Sequence, residues 1–277
     1  MDAASDTGNS KAAIRAYQST MRLKIALAQM RCEKGDWQGN LVRASEYMAC
    51  ASTEGCHIVI FPEMGLSGYC EPSKFPHAAQ PLDSIWVKRF VDMAAQHGIA
   101  ASGGFIEANP AGKPFITQIL AQDGRVAAAY RKIHVVDEEA ELFSPGGGVA
   151  IFNLRLPHGD LPCGLAVCAD SDRPDLFAEM ARKGARIIFH SSAPGLYVRR
   201  TDEGSWREGF EWYQSYLAER LPAWARDNRL FIAVATQTGA TIDEDFPGGS
   251  FIFGPDGSCL TGTDSHAETL LVHELEL

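Results

Sequence analysis

The sequence predicts an α/β fold. Apolar runs of strand length alternate with helical patterns through both halves of the 277-residue chain, as expected of stacked helix and sheet layers. Antiparallel hairpins are also predicted, because Gln122-Asp123-Gly124-Arg125 sets Asp-Gly, a strong turn signal, between two strand-like runs. An apolar fraction of 45% supports a sizeable core. The length suits one large α/β unit or two small ones. No repeat or low-complexity stretch divides the chain, which is therefore read as a single domain over residues 21–277.

Residues 1–20 lack an apolar h-region and read as a loose leader, not a secretory signal, with a short helix at 11–17. Met21 opens the first strand, 23–29, and a helix over 41–52 places Leu41, Ala44, Met48 and Ala51 on one face. The strand 57–61 stops at Pro62, and a second helix over 84–97 has Ser84 as N-cap and Gly98 as stop. Strands 99–105, 115–121 and 126–131 come next, the last two forming the hairpin. Strands 149–153 and 163–168 precede a helix over 174–183 that ends at Gly184. After the strand 186–190, the segment 191–212 holds Tyr197, Arg199, Arg200, Trp206, Arg207, Phe210 and Trp212. It reads as a loop that sets specificity, since loops at strand ends carry substrate contacts. A helix over 213–227 is interrupted by Pro222. Strands 230–235, 250–253 and 269–274 finish the chain, with Gly254-Pro255-Asp256-Gly257 as a turn between the last two.

The net charge of −10 argues against nucleic acid or an anionic membrane as partner. No apolar run approaches the ~18 residues of a membrane helix. The seven cysteines (Cys32, Cys50, Cys56, Cys70, Cys163, Cys168, Cys259) are odd in number and form no Cys-x-x-Cys pair. That excludes a disulfide framework or zinc module and points to a reducing, cytoplasmic setting.

Three strand ends carry chemistry. The run Gly164-Leu165-Ala166-Val167 ends in Cys168, followed by polar residues and Pro174. A thiol there meets ligand, and a helix N-terminus nearby favours its thiolate. The run from His57 ends at Phe61-Pro62-Glu63, and the run from Ala127 ends at Tyr130-Arg131-Lys132. Singly, each reads as well as a buried structural cysteine or a solvated charge. Together they form a complete set: a carboxylate to take the thiol proton, an ammonium for the oxyanion, a sulfur to attack carbon. A Cys–His pair using His134 or His190 is the alternative, and Glu63 and Lys132 already supply what it would provide. No His-x-x-x-His pair or close Cys/His cluster is present, and Gly146-Gly147-Gly148 lacks the Lys-Ser/Thr of a phosphate loop. Neither metal nor cofactor is expected.

With these motifs the chain resembles the nitrilase superfamily, the carbon–nitrogen hydrolases. The resemblance rests on Phe61-Pro62-Glu63, Tyr130-Arg131-Lys132-Ile133-His134, Phe143-Ser144-Pro145-Gly146 and Gly164 through Asp170, then Asp227-Asn228, Gly248-Gly249-Ser250 and Gly254-Pro255-Asp256-Gly257, in the family's order. It implies a four-layer α-β-β-α sandwich. It also implies Glu63 as general base, Lys132 as oxyanion-stabilising lysine and Cys168 as nucleophile. Many members carry a second glutamate seven residues before the glycine of Phe-x-Pro-Gly, and counting back from Gly146 gives Glu139, with Glu138 and Glu141 close by. The implied reaction is hydrolysis of a small amide or carbamoyl compound through a thioester, releasing ammonia or an amine. A nitrilase and a catalytically silent binding member remain as alternatives. A homodimer or higher homo-oligomer is implied as well. Many members have Arg four residues after the nucleophile, where this chain has Asp172 followed by Arg173. Substrate contacts are expected from Asp172, Arg173, His190, Tyr197 and Trp206.

Overall fold

The computed structural model describes residues 21–277. The leader and the helix expected at 11–17 lie outside the described residues. In chain order the first half holds β1 (Arg22–Gln29), α1 (Trp37–Thr53), β2 (Ile58–Ile60), α2 (Ile85–Gln96), β3 (Ala100–Glu107), β4 (Phe115–Gln122), β5 (Arg125–Arg131) and the short α3 (Asp137–Leu142). The second half holds β6 (Ile151–Leu156), β7 (Gly159–Val167), a 3₁₀ turn (Cys168–Asp172), α4 (Pro174–Arg182), β8 (Ile187–Ser192), α5 (Glu203–Ala218) and α6 (Leu221–Asn228). It finishes with β9 (Phe231–Thr236), β10 (Thr238–Ala240), β11 (Asp245–Pro247), β12 (Phe251–Phe253), β13 (Cys259–Gly262) and β14 (Thr269–Glu276).

Two six-stranded mixed sheets result, in the orders β14-β1-β2-β3-β4-β5 and β13-β12-β9-β8-β7-β6. In each, three central strands run parallel: β1, β2 and β3 in one, β7, β8 and β9 in the other. The period-two alternation of strand side chains sorts the apolar residues into separate cores. Leu23, Ile25 and Leu27 of β1 meet Leu165, Val167 and Phe189 of the other sheet in a core between the sheets. Ala26 and Ala28 face outward onto Leu41 and Met48 of α1 and Phe90 of α2. Ala166, Ile188 and Ile232 face the opposite way, onto Phe177, Phe210 and Leu217 of α4 and α5. Helices, two sheets and helices therefore stack as the expected α-β-β-α sandwich.

The structure corrects several sequence expectations. The segment 191–212 is not a loop throughout, since α5 begins at Glu203. Asp202 caps that helix by accepting from the Ser205 amide at 3.0 Å. The single interrupted helix expected over 213–227 is the end of α5 plus a separate α6, with Pro222 in the first turn of α6, where a missing N–H costs nothing. The turn at 254–257 joins β12 to β13, while the final strand crosses to the other sheet and pairs antiparallel with β1 over its whole length. The β10–β11 hairpin, whose strands are three residues each, is too short for a periodic signal.

Candidate active site

Parallel strands end on the same edge of their sheet, and both sheets present functional side chains there. Glu63 lies just past β2. Pro62 ends the ladder, and Met64 turns the chain with φ +47°. This turn rests directly on β3, where a Cβ at Gly104 would sit 2.6 Å from the Met64 nitrogen, so only glycine fits. Lys132 is the first residue after β5. Its neighbour Arg131 points to the other side and makes a double hydrogen bond to Glu107 at 2.8 and 2.6 Å. Gly146 packs on this strand end: its amide donates to the Lys132 carbonyl at 2.7 Å. A Cβ there would lie 2.1 Å from the Arg131 oxygen. That contact is the physical content of the Phe-Ser-Pro-Gly motif.

Cys168 follows β7 and opens the 3₁₀ turn with φ +44°, a left-handed conformation unfavourable for a residue with a side chain. Asp170 holds the turn. Fully buried, it accepts from the Tyr130 hydroxyl at 2.7 Å, the His134 amide at 2.8 Å and the Val167 amide at 2.9 Å. One carboxylate thus bolts the Cys168 turn of one sheet to the strand that delivers Lys132 from the other.

The side chains converge. Lys132 Nζ, 1% exposed, donates to Glu63 Oε1 at 2.9 Å and to Glu139 Oε2 at 2.7 Å. The second Glu63 oxygen accepts from the Ala193 amide at 3.1 Å. The second Glu139 oxygen accepts from the Tyr69 hydroxyl at 2.6 Å. Glu139 belongs to the short helix α3. Burial pushes the Glu63 carboxyl up to about 7, against the pull of Lys132. Burial also opposes the Lys132 charge, but Glu63, the Cys168 sulfur and Glu139 outweigh it and hold its pKa well above the usual lysine value. Burial and the Glu63 charge push the Cys168 thiol well up, so at rest the proton stays on sulfur with a base beside it.

A cleft of about 780 Å³ opens over this cluster, with Cys168, Lys132 and Glu139 in its lining. Of the expected substrate contacts, Asp172 and Tyr197 line the cleft; His190, Arg173 and Trp206 do not. His190 is wholly buried beneath the turn, where Nε2 meets the Cys168 carbonyl at 3.0 Å and burial lowers its pKa to about 4. It braces the backbone of Cys168 and not its sulfur. Arg173 pairs with Asp175 at 2.6 Å on the surface. Trp206 stacks on His266 with ring centres 4.9 Å apart, because helix α5 turns it away from the cleft. Sequence reasoning misses Tyr69, Tyr213 and Tyr216 as cleft residues; a helix over the last two is expected from sequence, but its pattern does not tell which face meets the cleft. Among the described residues no group of three His, Cys, Asp or Glu side chains is arranged to hold a metal ion.

A partly exposed cysteine on a strained turn, one buried and one partly buried carboxylate and a lysine between them define a thiol-dependent hydrolase of the α-β-β-α class. The Carbon-nitrogen hydrolase family model matches residues 24–277, and the chain belongs to that family. It is 27% identical to an (R)-stereoselective amidase of Pseudomonas sp over 242 residues, 86% of this chain and 80% of that protein. It is 27% identical to an N-carbamoylputrescine amidase of Solanum tuberosum, covering 91% and 86% of the two chains. Among solved structures, a variant of the amidase from Nesterenkonia sp. AN1, with the acetamide moiety of fluoroacetamide covalently added at its active-site cysteine, superposes with a TM-score of 0.77. That match has 26% identity and covers 92% of this chain and 90% of that one.

Proposed function

We propose that residues 21–277 form a single catalytic unit that hydrolyses a small amide or carbamoyl compound through a thioester on Cys168. The observation that carries this is the Lys132 ammonium held between Glu63 at 2.9 Å and Glu139 at 2.7 Å on the floor of the cleft that Cys168 enters. Glu63 takes the thiol proton as sulfur bonds to the carbonyl carbon. The oxygen becomes an oxyanion facing Lys132. The carbon–nitrogen bond then breaks, and the proton on Glu63 leaves with ammonia or an amine. Water enters and gives a proton to Glu63 as its oxygen attacks the thioester carbon. Collapse releases the acid, and the proton returns to sulfur. Glu139 holds Lys132 in place by its ion pair at 2.7 Å, so the two carboxylates have different roles.

The test is ammonia release across a panel of amides, carbamoyl compounds and nitriles, with intact-mass detection of the acyl-enzyme. Amides or carbamoyl compounds are expected to release ammonia, and Cys168→Ala to abolish both turnover and the adduct. Adducts on Cys70 or Cys163, or turnover of nitriles alone, would reject the reading. The assembly is proposed to be a homodimer or larger, and the location the cytoplasm, a setting in keeping with seven free cysteines. No described helix is long and apolar enough to cross a membrane.

A further inference from the structure

The cleft is far larger than a bare amide group requires, so most of it must receive the rest of the substrate. Its charges are unequally matched. Lys34 is held by Asp243 at 2.6 Å and Glu244 at 2.9 Å, and Lys132 likewise by two carboxylates. Lys74 pairs with Glu71 at 2.7 Å. Asp172 is paired with Arg220 at 2.7 Å. Glu138 lines the same cleft, is exposed, and has no ion pair among the described residues. Every lysine of the lining is at least neutralised, two of them twice over, and a carboxylate is left in excess.

A second, independent feature lies on α5. Tyr213 and Tyr216 stack with ring centres 5.9 Å apart, and Trp212 adjoins both at 6.0 and 6.3 Å. The Arg220 guanidinium lies over the Tyr216 ring, 4.0 Å from the ring centre. This wall therefore binds cations by the attraction of charge to the ring face. Trp212 lines the cleft and is 50% exposed, with no cation over it among the described residues.

Resting on the amide-hydrolase reading above, we propose that the cleft selects substrates whose acyl side ends in a cation, an ammonium or guanidinium group. Trp212 presents its ring to that cation and Glu138 supplies the opposite charge. A substrate ending in a carboxylate finds no uncommitted cation and meets the excess negative charge of the lining. The overall charge of −10 draws cations toward the molecule in the same sense.

Three primary amides of equal chain length, ending in methyl, ammonium and carboxylate, test this by kcat/KM from ammonia release. The ammonium substrate is expected to exceed the methyl one by about tenfold, the scale of a partly desolvated cation–π contact, and the carboxylate one to fall below it. The ammonium-to-methyl ratio should shrink with added salt and move toward one in both Trp212→Leu and Glu138→Gln. Turnover of the methyl amide with a ratio of one or less, or a preference for the carboxylate, would overturn the inference and leave the hydrolase reading standing. A ratio unchanged in both variants would overturn the assignment to Trp212 and Glu138. No turnover of any of the three, with no acyl adduct on Cys168, would bring down the hydrolase reading and this inference with it.

Discussion

Replacing Lys132 with methionine keeps the length of its side chain and removes the charge that Glu63 and Glu139 both address. The oxyanion loses its donor, and two carboxylates are left facing each other in a buried site. Lys132→Met is expected to lower kcat by about a hundredfold or more, the scale of one lost oxyanion donor. Steady-state kinetics check this, and a kcat within a few-fold of the parent would refute it. Glu63 makes a separate prediction. Burial raises its carboxyl to about 7, so the group is protonated, and useless as a base, below that pH. The value of kcat/KM should therefore rise with pH and level off above about 7. A profile already flat from pH 5 upward would mean that Glu63 titrates as an ordinary exposed carboxylate and that burial does not govern it.

At the scale of elements, the Tyr130–Asp170 bond joins β5 to the turn after β7. Tyr130→Phe keeps the ring in the inter-sheet core and removes only the hydroxyl. Asp170 would keep two amide donors but lose one hydrogen bond in a fully buried site. A stability loss of about 1–3 kcal/mol is expected from chemical denaturation. Because the bond spans the Cys168–Lys132 junction, kcat should fall with little change in KM, which a merely structural role would not produce. The convergence of Glu63, Lys132, Cys168 and Glu139 is legible in the sequence because each sits at a local signal. Pro62 stops one strand, polar residues follow Cys168, and Gly146 belongs to the same junction as Lys132, so the count back to Glu139 spans one connected piece of structure. The bonds that brace the site are not legible. Tyr69 reaches Glu139 across 70 residues, and Tyr130 reaches Asp170 across 40. Such pairings depend on which strand ends meet, and no periodicity encodes that. The same limit explains Trp206: its aromatic and basic neighbours resemble a binding loop, but a helix start at Asp202 sets the direction of its side chain.

The whole molecule presents an uneven surface. Among the described residues seven large apolar side chains are exposed, and three of them, Tyr197, Val198 and Ile242, belong to segments at the mouth of the cleft. Arg199 ties two of these segments together by donating to the Ile242 carbonyl at 2.6 Å and to Asp245 at 2.6 Å. An apolar rim of this kind on an otherwise acidic protein marks a contact surface. A second copy is its proposed occupant, since most homo-oligomers close through one self-complementary patch. Light scattering should then give about twice the 30.1 kDa chain mass, or a higher multiple. Aspartate at both Val198 and Ile242 should shift the protein toward the single-chain mass, because each carboxylate would be desolvated on association. The fold should survive, as both side chains are more than half exposed, at 68% and 67%. A parent protein that stays near 30 kDa at micromolar concentration would count against assembly altogether. An oligomer that the double substitution leaves intact would place its interface elsewhere on the molecule.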